Sequence, residues 1–148
     1  MTDQQLRAKF CVSVAVGDVS GCVDALRGEA LAEVRLDAMA GVSEHEIASI
    51  FSLPLRLVAT CRRTAEVSDT ERARRLRAAV RAGASYVDVE LDADGSLREQ
   101  LVGTARGCGC QVIVSHHDYA ATPEARVLRE LLEACYEAGA DVAKIACE

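Results

Sequence analysis

The feature that most constrains the fold of this chain is the alternation of short, apolar, β-branched runs with stretches of helical periodicity. Six runs have the length and composition of strands, and the segments between them carry helix signals. Strands that alternate with helices of this length form right-handed βαβ units and a parallel sheet. The predicted strands are FCVSVAV (10–16), LAEVRLD (31–37), PLRLVATC (54–61), SYVDVEL (85–91), QVIVSHH (111–117) and ADVAKIA (140–146).

The two clearest predicted helices begin and end at residues of the expected kind. SDTERARRLRAAVRAG has an N-cap candidate at Ser68 or Asp69 and ends at Gly83. TPEARVLRELLEACYEAG has Thr122 as its cap, with Pro123 in the first turn. With five predicted helices, an open doubly wound sheet and an incomplete (β/α) barrel both fit the pattern. The segment GDVSGC after the first strand is neither a dinucleotide fingerprint nor a P-loop, which weakens the nucleotide-binding version of the open sheet.

Length and composition favour one soluble globular domain over residues 1–148. The net charge of −6 and the aromatic content of 3% argue against a nucleic-acid-binding protein. No apolar run approaches the roughly 18 residues of a membrane span. The first ten residues, MTDQQLRAKF, are polar and lack the apolar core of a signal peptide. The seven cysteines follow no disulfide spacing, so we expect a cytoplasmic protein with reduced thiols.

Lys144 is the residue whose setting most clearly indicates chemistry. It is one of two lysines among 17 basic residues and lies in the apolar run ADVAKIACE. Desolvation among Ala, Val and Ile would lower the pKa of the amine. An unprotonated amine in a pocket can form a Schiff base with a ketone or an aldehyde. The alternative is an edge-strand lysine whose charged head extends into water.

Charged residues also occur where a parallel strand is normally apolar. Glu33, Arg35 and Asp37 alternate in the second predicted strand and therefore share one face. Asp88 and Glu90 do the same in the fourth. Such charges must pair with one another or serve a polar site, and an ion-pair network without function is the alternative. In a (β/α) barrel, residues at the carboxyl ends of the strands converge on the active site.

The two adjacent histidines of VIVSHHDY point to opposite faces of a strand, so only one can face a barrel interior. His117 shares a face with Ser115 and is a candidate general acid and base. A zinc site built from Cys108, Cys110 and both histidines is the alternative. The C-x-C spacing is atypical of zinc, and His116 and His117 point apart, which argues against that site.

Taken in order, these motifs make the chain resemble the type I 3-dehydroquinate dehydratases, the imine-forming lyases of the shikimate pathway. The resemblance implies a (β/α)8 TIM barrel that dehydrates 3-dehydroquinate to 3-dehydroshikimate, in aromatic amino acid biosynthesis, without metal or cofactor. The most specific similarity is DVEL (88–91) followed after twenty residues by VIVSHHD (112–118). The other matching segments are CVSV (11–14), EVRLD (33–37), TCRRTAE (60–66), TP (122–123) and AKIA (143–146).

The resemblance also implies a role for each matching site residue. Lys144 would attack the C3 ketone of the substrate and form the imine. His117 would remove the C2 proton and later protonate the departing C1 hydroxyl, and Glu66 would pair with the histidine and hold its orientation. The substrate-binding residues implied by the resemblance are Ser13, Glu33, Arg35 and Arg62.

The family pattern continues beyond the last predicted strand of this chain. Two further strands, an arginine for the substrate carboxylate and a loop that closes over the site are expected there. We therefore predict an incomplete barrel of about six strands and five helices, whose first and sixth strands are exposed edges able to form a homo-oligomer. After Glu66, the sequence EVSD lacks the usual glycine pair. Two alternatives to the active lyase remain: a catalytically impaired remnant or interaction module of the same fold, and another class I imine-forming aldolase.

Overall fold

A parallel six-stranded sheet organises residues 10–148, the part of the chain that the computed structural model describes. Its strand order follows the sequence, and every neighbouring pair is parallel. The segment 1–9, which holds most of the sequence used to predict the absence of a signal peptide, lies outside the described residues. The strands are β1 (Val12–Val14), β2 (Leu31–Arg35), β3 (Arg56–Thr60), β4 (Tyr86–Glu90), β5 (Gln111–Asp118) and β6 (Val142–Cys147).

Five α-helices connect the described strands, as the periodicity predicted. Ser68 is the N-cap of the third helix and accepts a hydrogen bond from the amide of Glu71, which confirms that predicted start. The predicted cap at Thr122 is wrong, because the fifth helix has Glu124 at its N-cap position and the Thr122 hydroxyl donates to the carbonyl of Glu148 instead. The helices are α1 (Val19–Ala25), α2 (Glu44–Phe51), α3 (Asp69–Arg81), α4 (Gly95–Cys108) and α5 (Ala125–Glu137).

Strand order determines which side of the sheet the helices cover. Right-handed crossovers between consecutive strands, all running in one direction, place every helix on the same face. We call this the helix face, and the opposite one the inner face. The helix face carries small and branched apolar side chains and forms the core with the helices. Fully buried examples are Val34, Ala59, Val87, Val112 and Val114.

The sequential order identifies the sheet as part of a (β/α) barrel. A doubly wound sheet needs a reversal of strand order and helices on both faces, so that alternative is wrong. β1 and β6 are the two edges, as predicted, and Val12 and Val142 on them are each 40% exposed. None of the helices described in residues 10–148 has the length and apolar character needed to cross a membrane.

Five of the six strands are shorter than predicted, and the shortening of β1 and β2 bears most on the site. β1 pairs with β2 over only three residues, so it does not fill the predicted range 10–16. β2 ends at Arg35, and the next three residues form a 3₁₀ turn, Leu36–Ala38. Asp37 therefore lies in this turn, where its carboxylate accepts two hydrogen bonds from Arg35 (3.0 and 2.7 Å). The predicted alternation holds for Glu33 and Arg35 and fails at Asp37.

Candidate active site

The polar side chains of the inner face gather around Asp88 on β4, whose side chain is fully buried. Its carboxylate accepts two hydrogen bonds from Arg62 (Nη1 to Oδ1 3.1 Å, Nη2 to Oδ2 2.8 Å) and one from the Ser115 hydroxyl at 2.5 Å. Lys144 Nζ lies 3.4 Å from Oδ2. The sheet register accounts for this, because Ser115 and Lys144 are directly paired neighbours on β5 and β6. A buried carboxylate is tolerated in such a setting because cations and a hydroxyl neutralise and solvate it.

Glu33 provides a second carboxylate on the inner face. It accepts hydrogen bonds from the hydroxyls of Ser13 on β1 and Thr60 on β3, both at 2.8 Å. Its Oε1 is 3.7 Å from Lys144 Nζ and 3.9 Å from Arg62 Nη2. Burial raises the pKa of Glu33, but the two hydroxyl bonds and the charge of Lys144 outweigh it and lower the pKa below its ordinary value. Glu33 is therefore ionised at neutral pH.

Arg35 and Arg62 are joined through Asp37. Besides its two bonds from Arg35, Asp37 accepts a bond from the backbone amide of Arg62 at 2.9 Å. Burial raises the pKa of the Asp37 carboxyl, and the opposing bonds from Arg35 and the Arg62 amide bring the pKa below its usual range. The 3₁₀ turn after β2 thus connects the guanidinium of Arg35 to the start of the segment that carries Arg62.

His117 lies at the carboxyl end of β5 and contacts the same open cavity as Lys144, Arg35 and Arg62. The volume of this cavity is about 480 Å³. Its ring stacks on Tyr119, with centroids 6.0 Å apart and an interplanar angle of 18°. Burial lowers the pKa of His117, and the positive charges of Arg62 and Lys144 lower it further. The imidazole is therefore neutral at pH 7 and able to accept a proton.

Lys144 faces the inner side of the sheet, but its surroundings differ from the predicted ones. An apolar, desolvated pocket was expected, whereas Nζ lies between the carboxylates of Asp88 and Glu33, and 39% of the side chain is exposed. The reason is strand alternation, since Ala143 and Ile145 point to the helix face while Lys144 points inward. The amine is held in place by charge rather than surrounded by apolar atoms.

The position of Glu66 gives no support to a contact with His117. Glu66 is exposed in the segment between β3 and α3, where its backbone amide donates to the Thr64 hydroxyl at 3.3 Å. Within residues 10–148, the structure shows no hydrogen bond or ion pair of its carboxylate, and it does not line the cavity. The carboxylates that line this cavity together with His117 are those of Glu33 and Glu90. The predicted role of Glu66 stays a prediction.

Sequence reasoning named seven site residues and omitted several polar neighbours. The omitted residues share inward parity with the predicted ones, which is the signal that could have identified them. Asp88 and Glu90 had been recognised as inward charges without a site role. The residues to add are Thr60, Asp88, Glu90 and Ser115.

Beneath the polar group, the inner face is apolar. A second open cavity of about 430 Å³ has Glu33, Asp88 and Lys144 at one end. An amine, a neutral imidazole and several hydroxyl and guanidinium donors thus meet above an apolar floor, which is the usual composition of a small-molecule site. The residues of this floor are Cys11, Leu31, Val58, Tyr86, Ile113 and Val142.

The zinc alternative is wrong, because its four ligands lie at opposite ends of β5. Cys110 precedes the strand, whereas His116 and His117 are near its carboxyl end, about 20 Å away at the rise of a β-strand. Among the described residues, no cluster of three or more His, Cys, Asp or Glu side chains has an arrangement that could hold a metal ion.

Comparison of the sequence with known proteins gives one consistent family. The sequence matches the model of type I 3-dehydroquinase over residues 10–148. A 3-dehydroquinate dehydratase of Syntrophobacter fumaroxidans is 35% identical over 130 residues, which cover 80% of this chain and 54% of the relative. One from Desulfotalea psychrophila is 31% identical over 145 residues, covering 93% of this chain and 63% of the relative.

Solved structures agree on the fold. The type I 3-dehydroquinate dehydratase of Clostridium difficile superposes on 93% of this chain with a TM-score of 0.84 at 21% sequence identity. The superposition covers 62% of that protein. The chain thus spans less than two thirds of the length of each of these three relatives.

Proposed function

Because this chain belongs to the type I 3-dehydroquinase family, we propose that its inner face carries the chemistry that dehydrates 3-dehydroquinate to 3-dehydroshikimate in the shikimate pathway. The observation that carries the proposal is that Lys144 and His117 line one cavity, with Glu33 and Arg62 beside them. Lys144 and His117 are the proposed catalytic residues. Glu66 keeps the orienting role that the resemblance implies.

The first proposed step is attack of the Lys144 amine on the C3 ketone. Addition gives a carbinolamine, whose hydroxyl takes up a proton from solvent and departs as water, and this leaves a protonated imine on the lysine. The cationic nitrogen of that imine takes the place of the lysine ammonium between Asp88 and Glu33, 3.4 and 3.7 Å from the present amine. Two fixed carboxylates stabilise the positive charge throughout, since they need not reorganise during the reaction.

His117 is proposed to transfer the protons. The protonated imine withdraws electrons and acidifies the neighbouring C2–H bond, so a neutral imidazole can remove that proton and leave an enamine. The imidazolium then protonates the C1 hydroxyl, which departs as water while the enamine electrons form the C1–C2 double bond. Hydrolysis of the remaining imine releases the product and restores Lys144. These steps use only side chains of the site and water.

The remaining site residues are proposed to hold the substrate. Arg35, Arg62 and Glu33 border the same cavity and present guanidinium and carboxylate groups that suit ring hydroxyls. Ser13 contributes through its bond to Glu33. The substrate is thus a small polyhydroxylated keto acid, and its carbonyl carbon must reach Lys144.

Four further properties are proposed with the function. The chain (1–148) belongs to a single domain, whose described residues 10–148 form a partial (β/α) barrel, and the protein acts in the cytoplasm. Its partner is the small-molecule substrate rather than nucleic acid or membrane. The exposed edges β1 and β6 support association between copies of the chain, because unpaired strand edges offer free backbone donors and acceptors.

The proposal is tested by trapping the imine. Purified protein is mixed with 3-dehydroquinate and borohydride, and its intact mass is measured, followed by peptide mapping. We expect a reduced adduct on Lys144, its loss in Lys144→Met, and its retention in the matched control Lys9→Arg, which removes the only other lysine amine. A folded wild-type protein that forms no adduct would refute the proposed chemistry and favour the catalytically impaired alternative.

A further inference from the structure

Two arginines of α3 are buried behind the site and take no part in the proposed steps. Arg72 and Arg75 are only 3% and 4% exposed. Arg75 Nη1 donates to the backbone carbonyls of Leu36 and Met39 at 2.7 and 2.9 Å, and these bonds stabilise the turn after β2. Arg72 differs from Arg75, because one of its partners is a side chain of the cavity.

Each of the three guanidinium nitrogens of Arg72 donates to a different residue. Nε donates to the carbonyl of Cys61 at 2.9 Å, Nη1 to Asp69 Oδ1 at 2.8 Å, and Nη2 to Glu90 Oε2. A planar fork with every branch engaged has one orientation, unlike a lysine ammonium that rotates about its stem. The Cys61 carbonyl immediately precedes Arg62, so the same guanidinium fixes the backbone from which Arg62 extends.

Glu90 connects Arg72 to the cavity. It is the last residue of β4, and its side chain is 20% exposed. One carboxylate oxygen, Oε2, accepts a hydrogen bond from Arg72, and the other, Oε1, faces Arg62 Nη1 at 3.7 Å. Glu90 borders both the larger cavity and a smaller one of about 140 Å³, and His117 borders each of them as well.

We propose that Arg72 is a positioning residue that holds the Glu90 carboxylate at the cavities that His117 also lines, and thereby sets the electrostatic environment of the imidazole. The proposal rests on the proposed function only for the role of His117 as acid and base. Held in this place, Glu90 offsets part of the positive charge of Arg62 and favours the imidazolium that must form during proton transfer.

The charged groups that face His117 come from several elements, so the effect of Glu90 must be separated from theirs. Arg62 and Lys144 oppose protonation of the ring, while Asp88 and Glu90 favour it. Replacing Glu90 by glutamine removes one favourable charge and lowers the pKa of His117. The facing groups are Arg62 after β3, Asp88 and Glu90 on β4, Tyr119 after β5, and Lys144 on β6.

The experiment is a double-mutant cycle read by NMR titration of the imidazole protons, with His117→Gln used to assign the signal among the three histidines. We expect Glu90→Gln and Arg72→Gln each to shift the His117 titration to lower pH. Arg72→Gln should cause a much smaller shift in the Glu90→Gln background than in the wild-type background, because a positioning residue acts mainly through the group it positions. Arg72→Lys keeps a positive charge beside Glu90 but loses the fixed guanidinium geometry, so it should restore only part of the wild-type titration.

Arg75→Gln is the matched control, an equally buried arginine of the same helix that does not touch Glu90, and it should leave the titration unchanged. Shifts that add in the double variant, or an equal shift in Arg75→Gln, would overturn the proposal. If Arg72→Gln does not fold, Glu90→Gln provides the test by itself. An unchanged His117 titration in Glu90→Gln would also overturn the proposal. The titration needs no turnover. Failure of the imine-trapping experiment would therefore refute the proposed function without changing the outcome of the His117 titration.

Discussion

Replacement of the buried carboxylate at the centre of the site is the sharpest test of how the inner face is held together. In Asp88→Asn, the shape of the side chain is kept and its charge is lost. Arg62 then loses its bidentate partner at 2.8 and 3.1 Å, and Lys144 loses a carboxylate at 3.4 Å. The Ser115 hydroxyl can still bond the amide oxygen, so the change acts mainly on charge.

The magnitude follows from the partners that remain. Breaking a buried ion pair by removing one member costs about 3–5 kcal/mol when the other charge is left without compensation. The charge of Arg62 stays partly compensated, because Glu90 and Glu33 lie 3.7 and 3.9 Å from its guanidinium. We therefore expect a loss of about 2–3 kcal/mol, a large share of the roughly 5–15 kcal/mol that stabilises an ordinary domain.

Chemical unfolding in urea, followed by circular dichroism, measures this loss as a shift of the transition midpoint at constant slope. The matched control is Asp24→Asn, which breaks an exposed salt bridge to Arg27 at 3.0 Å and should change stability by less than about 0.5 kcal/mol. If Asp88→Asn were no more destabilising than Asp24→Asn, the view that Asp88 neutralises the cations of the inner face would be wrong.

Three further predictions concern turnover, acid stability and thiol reactivity. His117→Ala should still form the borohydride-trapped adduct yet release no product, and an adduct-free variant would contradict its assignment to the later proton transfers. Two arginines of α3 hydrogen-bond Glu71 and lower its pKa from 4.5 to about 2, so its stabilising contribution is complete above pH 4.5 and disappears as the pH falls toward 2. In acid unfolding monitored by circular dichroism, Glu71→Gln should be less stable than wild type at pH 7 and should lose less stability between pH 4.5 and about pH 2. Stability curves of the two proteins that run parallel over this range would refute the prediction. Burial raises the pKa of Cys61 to about 12 and of Cys110 to about 11, so iodoacetamide at pH 8 should label exposed Cys108 in the native protein and spare those two, as peptide mass spectrometry would show.

The fold was predictable because it depends on local signals repeated along the chain. Apolar β-branched runs separated by capped helices predict parallel strands joined by right-handed crossovers. That pattern also fits a doubly wound sheet, so the barrel-like strand order was expected only from the family resemblance. The ends of elements were less predictable. Asp37 continues the alternation of β2 in sequence, but its bonds to Arg35 and to the Arg62 amide stabilise a turn there instead. Thr122 has the chemistry of a cap but bonds a distant carbonyl.

The site was predictable to the extent that strand parity determines it. Parity and the family motifs together placed Glu33, His117 and Lys144 on the inner face, which the structure confirms. The surroundings of Lys144 were missed, because they depend on side chains from β2 and β4 that are 111 and 56 residues away in sequence. Arg72 could not be recognised at all, since a charged residue in the first turns of an amphipathic helix is normally assigned to the solvent side.

The two-residue period of the strands also restricts how this chain can change length. A single residue inserted early in β4 would turn Asp88 and Glu90 toward the mainly apolar helix face, away from Arg62 and Lys144. Val87 and Val89 would replace them beside Lys144. Length changes within the strands would thus remove both the core and the site in one step. Variation in chain length among homologues is therefore expected in the connecting loops, with strand lengths preserved.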